Sequence, residues 1–204
     1  MSTTAGGGPS RREEILTTLA RMLEADPGKR ITTAALAKEL GVSEAALYRH
    51  FPSKARMFEA LLAFVEDSLF SRIPKIREQV EAAPEQCGQV LALLLLFAER
   101  NPGIATLLCG QGLIDDTARL RPQVRQLFAR IETELRSMLR EGERKQGTQL
   151  GASSNQVAAA LLAQAEGLLS RFVHSGFKDA PTERWRAAWP ILAAGAFPEW
   201  TATA

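Results

Sequence analysis

Apolar residues return every three or four positions along this chain, and nowhere do Val, Ile, Thr and Tyr alternate with the two-residue period of a strand. The pattern predicts an all-α protein of about nine helical segments, separated by Gly, Pro and Ser/Thr/Asn clusters. The first segment opens on Ser10-Arg11-Arg12-Glu13, where Ser10 and Glu13 can satisfy each other's free N–H groups as a capping box. Its apolar stripe is Ile15, Leu16, Leu19, Met22 and Leu23, and Asp26-Pro27-Gly28 stops it. Thr32 or Thr33 caps a short second segment with Leu36, Ala37 and Leu40 inward, and Gly41 suits the left-handed position after it. Ser43 caps a third segment that reaches about His50. Ser53 caps a fourth, which carries Met57, Phe58, Leu61, Leu62, Val65 and Leu69 and fades before Pro74.

A fifth segment runs over 84–100, Asn101-Pro102-Gly103 breaks the chain, and a short sixth covers 104–112. The seventh, over 120–145, repeats Val124, Leu127, Phe128, Ile131, Leu135 and Leu139 at helical period. Ser154 or Asn155 caps an eighth to about Ser175, and Thr182 a ninth, in which Pro190 is expected to kink or shorten the helix. The expected organisation is a flexible tail over 1–9, a three-helix unit over 10–53, a helical body over 54–197 and a second flexible tail over 198–204.

The second and third segments, joined by Gly41-Val42-Ser43, have the dimensions of a helix-turn-helix. Ala37 is small enough to let the two approach, Gly41 allows a positive φ, and Val42 and Leu47 can plug the angle between them. The third segment would then expose Ser43, Glu44, Ala45, Tyr48 and Arg49, with small residues at its front to let the backbone enter a major groove. Thr32 and Thr33 at the start of the second segment, with Tyr48, His50 and Lys54, are placed to contact phosphates. The bland alternative is a helix pair with a glycine turn, as in many all-α proteins, with Tyr48 in the core and His50 a solvated helix end.

Charge shifts this balance slightly. The net charge is +2, but residues 1–56 hold nine Lys and Arg against six Asp and Glu, so attraction to a polyanion should reside at this end. The longest apolar run, 90–98, is nine residues, too short to span a bilayer. The segment MSTTAGGGPS has neither an apolar stretch nor a basic cluster, so no secretory leader and a cytoplasmic location are expected. Cys87 and Cys109 lack CxxC spacing, which disfavours a disulfide scaffold or zinc module. No GxSxG, Walker loop, HExxH or paired Cys/His set is present, so no catalytic residue, no metal and no cofactor are expected.

The string Ile31-Thr32-Thr33-Ala34-Ala35-Leu36-Ala37, followed by Gly41-Val42-Ser43-Glu44-Ala45-Ala46-Leu47-Tyr48-Arg49-His50-Phe51-Pro52-Ser53-Lys54, resembles the DNA-binding signature of the TetR family. The resemblance implies a fold of about nine helices, with an N-terminal helix-turn-helix and a C-terminal dimerisation domain. Further blocks, among them Phe64-Val65-Glu66-Asp67-Ser68-Leu69 and Glu99-Arg100-Asn101-Pro102-Gly103, resemble the nucleoid occlusion factors within that family. For those, the resemblance implies binding of palindromic chromosomal sites and, when DNA-bound, antagonism of the tubulin-like division protein FtsZ. A nucleoid-associated location follows from it too.

Two further surfaces are expected. Phe64, Ser68 and Arg72 share one face of the fourth segment, and Leu93, Leu96 and Arg100 one face of the fifth. Packed side by side, these would form a groove with an apolar floor and two cations at one end, suited to an acidic, partly apolar peptide. Phe64, Arg72, Leu93 and Arg100 match FtsZ-contacting positions in the relatives, while Leu96 stands where a glycine-like residue is expected. Because 90–97 is apolar all round, the core competes for these leucines. In the eighth and ninth segments Ala163, Gly167, Leu168, Trp185 and Trp189 fit a four-helix dimer contact, with an intramolecular core as the alternative. A ligand-responsive repressor with an apolar effector cavity, and a helical interaction domain without DNA binding, remain as competing functions.

Overall fold

The computed structural model describes residues 10–26, 29–111, 113 and 115–200. The expected break at Pro27-Gly28, the end of the sixth segment at Gly112, and the tails over 1–9 and 201–204 lie outside the described residues. The described residues form ten α-helices and one 3₁₀ helix: α1 Arg11–Ala25, α2 Thr33–Glu39, α3 Glu44–His50, α4 Lys54–Phe70, α5 Ile73–Gln79, α6 Ala83–Arg100, α7 Pro102–Leu108, the 3₁₀ turn Asp115–Leu120, α8 Arg121–Gln146, α9 Ser154–His174 and α10 Pro181–Ala196.

The local signals act as their chemistry predicts at the N-terminal end. Ser10 and Glu13 form the capping box of α1, and Thr32, Ser43 and Ser53 cap α2, α3 and α4 by accepting from Ala35, Ala46 and Arg56 N–H. Gly41 sits at φ 66°, where a β-carbon is disfavoured, and Val42 N–H returns to Ala37 O.

Proline reads differently in the fold than in the sequence. Pro74 does not merely follow a fading α4; it lies in the first turn of an additional helix, α5. The break at 101–103 is a bend after Asn101, and Pro102 and Gly103 already belong to α7. A proline at the first helical position loses no bond, because that N–H has no acceptor anyway. Pro181 likewise opens α10, so Thr182 is inside it and not its cap. α9 is capped one residue earlier than expected, by Ser153 in a capping box with Gln156. α10 is not shortened at Pro190 but continues to Ala196; Pro190 is exposed, so water can take the carbonyl it leaves unpaired.

One continuous core joins all these helices. Leu19, Leu36, Leu47 and Phe51 close the three-helix unit, and Phe58, Val65, Leu91, Leu95, Leu127, Ile131 and Leu135 fill the body. α7 is buried along most of its length and packs on α1, tying the N-terminal unit to the body. Trp200 packs on the rings of Trp189 and Phe197, so residues 198–200 are tied to the core through it. No single helix among the described residues is long and apolar enough to cross a membrane.

Candidate nucleic-acid interface and partner surfaces

α2 and α3 are each seven residues long, and Leu47 is fully buried between them and α1. This anchors one side of α3 and turns the other outward. Ser43, Glu44, Ala45, Tyr48, Arg49 and His50 are all exposed, Tyr48 at 44%. The bland placement of Tyr48 in the core does not hold. Thr32 is exposed and Thr33 half-buried at the head of α2. Lys54 begins α4, with its Nζ 5.9 Å from the centre of the Phe58 ring.

Four contacts on this face were not legible in the sequence. Thr33 Oγ1 donates to Glu44 Oε2 at 2.6 Å, and Tyr48 OH donates to Thr33 Oγ1 at 3.4 Å, so α2 and α3 share a side-chain clasp. Arg12 donates to His50 O at 3.0 Å, and its guanidinium lies 4.1 Å from the centre of the Phe51 ring. A cation at the carboxyl end of α3 satisfies a terminal carbonyl and complements the helix dipole. The signal that could have found it is the spacing of Arg12 on the outward face of α1, which carries no register relative to α3.

α4 and α6 meet where the rings of Phe64 and Phe97 lie 6.0 Å apart, and Phe64 remains half exposed. α5 reverses the chain between them. Phe70 and Arg77 lie against Arg130, Glu134 and Glu141 of α8. The same stretch of α8 meets the start of α6, where Cys87 bonds Leu135 O and Ala83 N–H bonds Gln146. The two helices therefore run in opposite directions. Arg72 and Arg100 flank the aromatic contact from opposite ends, which corrects the expectation of two cations at one end. Arg72 folds back onto Ser68 O, and Arg100 is exposed. Leu93 is half-buried against the core. Leu96 lines an open cleft of about 430 Å³ shared with Trp185, Arg186 and Trp189 of α10.

The expected dimer residues divide. Leu168 and Trp185 are 6% and 4% exposed and belong to the protomer's own core. For the two tryptophans the physical reason is Gly88 of α6. A β-carbon there would stand 2.8 Å from the Trp189 ring, and Trp185 Nε1 donates to Gly88 O at 3.3 Å. The glycine opens a slot that receives both indoles, so Trp189 is also packed internally. Ala163 and Gly167 are exposed, with nothing within 4 Å of a β-carbon built on Gly167. With Ala159, Ala160, Ala187 and Ile191, the last 78% exposed, they make an outward face of small and apolar residues on α9 and α10.

The interior offers no waiting polar group: among the described residues every buried side-chain nitrogen and oxygen has a hydrogen-bond partner. Burial pushes the Cys87 thiol up to about 12 and the Cys109 thiol, helped by Glu166, to about 11, so both are poor nucleophiles.

The helical architecture and the outward α3 define a helix-turn-helix protein of the tetracycline-repressor type. A family of bacterial regulatory proteins, the tetR family, matches residues 15–61, and the SlmA-like family of tetracyclin repressor-like C-terminal domains matches residues 85–195. The nucleoid occlusion factor SlmA of Vibrio atlanticus is 52% identical over 91% of this chain and 95% of its own length. That of Shewanella amazonensis is 53% identical over 90% and 93%. The TetR family transcriptional regulator PfmR from Thermus thermophilus shares the fold, with a TM-score of 0.73 at 24% identity over 92% of this chain and 98% of its own. The chain belongs to the TetR family, in the branch of the SlmA nucleoid occlusion factors.

Proposed function

We propose that this protein is a cytoplasmic, nucleoid-associated regulator, not an enzyme, that binds palindromic chromosomal sites as a homodimer and, so bound, antagonises FtsZ ring assembly over the nucleoid. The observation that carries this reading is identity of about half over nine-tenths of the chain with proteins named nucleoid occlusion factors, extending through the C-terminal domain. The geometry is consistent with it. α3 presents Ser43, Glu44 and Ala45 as a narrow leading edge for a major groove, with Thr32, Thr33, Tyr48, Arg49, His50 and Lys54 around it for bases and phosphates. The small-residue face around Ala163 and Gly167 supports a two-fold partner, which spaces two α3 helices for a palindrome. The half-exposed Phe64, with Arg72, Leu93 and Arg100 around it, supports a groove for the acidic FtsZ tail. Leu96 is a weaker member, because it lines the cleft shared with α10.

The competing repressor reading requires a cavity of roughly 300 Å³ or more with a few polar groups. The centre of the body is filled by Phe58, Leu91, Leu95 and Ile131, each at most 1% exposed, and the cleft of about 430 Å³ between α6 and α10, the one place that favours this reading, is open to the surface. The test adds purified protein to polymerising FtsZ with and without duplexes selected from genomic DNA. Loss of polymer only in the presence of selected duplex is expected. Polymer unaffected under both conditions would overturn the reading.

A further inference from the structure

The clasp between α2 and α3 assigns more than a position to Glu44. In helix-turn-helix docking, residues in the first turn of the reading helix approach the base edges. Three exposed side chains occupy that place. The Ser43 hydroxyl accepts from Ala46 N–H at 3.2 Å and keeps one hydrogen to donate, and the Ala45 side chain has no hydrogen-bonding atom. Glu44 is the one first-turn side chain that brings a negative charge and a free acceptor oxygen to the base edges. Its Oε2 is held by Thr33, whose single hydroxyl hydrogen is thereby committed, while Tyr48 donates to the same hydroxyl from one turn further along α3. Its Oε1 makes no hydrogen bond among the described residues.

A carboxylate at this place is repelled by every phosphate nearby, so it lowers affinity for DNA of any sequence. It recovers that loss only against a base that offers a donor. In the major groove guanine presents two acceptors and thymine one, which a carboxylate opposes. Adenine offers a donor beside an acceptor, and cytosine offers its N4 amino group, the usual partner of an acidic side chain. Resting on the DNA-binding reading above, we propose that Glu44 is a specificity-determining residue that selects a cytosine in each half-site and rejects other bases, with Thr33 as its positioning residue.

The test is selection from randomised duplexes by the wild type and by Glu44→Ala, Glu44→Gln and Thr33→Val, followed by titration against each base-pair permutation of the selected site. The wild type should prefer cytosine at one position of each half-site by roughly 5- to 150-fold. Glu44→Ala should flatten that position alone and bind non-cognate duplex more tightly. Glu44→Gln should move the preference to adenine, which a glutamine amide pairs in bidentate fashion. Thr33→Val should keep the cytosine preference at reduced strength. A merely structural role, acidic stabilisation of the α3 dipole, would weaken all sites equally and leave the preference where it was; that result in both Glu44 variants overturns the proposal. If the wild type selects no site at all, the DNA-binding reading falls, and this proposal with it.

Discussion

Gly103 of α7 lies so close to Ala20 of α1 that a β-carbon on it would stand 1.8 Å from the Ala20 carbonyl oxygen. The contact is the joint between the three-helix unit and the body. The obstacle is backbone, which cannot swing aside as a flexible side chain would. Gly103→Ala must therefore push α1 off α7. Overpacking of this kind costs about 1–3 kcal/mol, and the rigid obstacle puts the expected cost at the upper end. A lowered urea midpoint together with weaker operator binding is the expected pair of results; an unchanged midpoint would show that α1 and α7 can part freely.

Gly167 has the opposite environment, with empty space above it on α9. Gly167→Glu should leave the protomer folded, since replacing a mid-helix glycine gains up to about 1 kcal/mol of helix propensity. It should also place two charges at the two-fold contact and yield monomers. Sedimentation with circular dichroism checks both halves, and a stable dimer of the variant would move the interface away from this face.

Lys54 begins α4 beside the exposed end of α3. Lys54→Ala is expected to weaken binding to every duplex alike and to reduce the slope of log affinity against log salt by about one. A slope equal to that of the wild type would remove Lys54 from the phosphate contacts.

Arg72 lies at the far end of α4 from α3, with its guanidinium turned back on Ser68 O. Arg72→Asp is expected to bind the selected duplex normally and to lose the effect on FtsZ polymer. Retention of both activities would place the FtsZ surface elsewhere.

Asp179, between α9 and α10, accepts from Arg184 at 2.7 Å and Arg171 at 3.3 Å, and the Arg184 hydrogen bond leads in holding its carboxyl below the usual range. A lowered folded pKa means that the clasp stabilises above the unfolded pKa and is lost as pH falls through the folded one. Asp179→Asn should therefore melt earlier than the wild type at neutral pH and converge with it in acid. Parallel melting curves at every pH would exclude the clasp as a source of acid sensitivity.

The sequence by itself determined what short-range chemistry controls. Ser10, Thr32, Ser43 and Ser53 start their helices where their oxygens can reach free N–H groups, and Gly41 supplies the one left-handed residue of the turn. The outward set on α3 followed because Leu47, at helical spacing, had to point inward. Only the tertiary structure decided which neighbour covers each face. Period reveals that residues share a side of a helix, but not what lies against it. Residues 90–97 of α6 are apolar all round, so nothing local could set Leu96 against the α10 side, draw Trp185 and Trp189 into the slot over Gly88, or bring Gly103 against the Ala20 backbone. Thr33 and Glu44 lie eleven residues apart on separate helices, and they meet at 2.6 Å only because the buried Leu36, Ala37 and Leu47 fix how α2 and α3 cross.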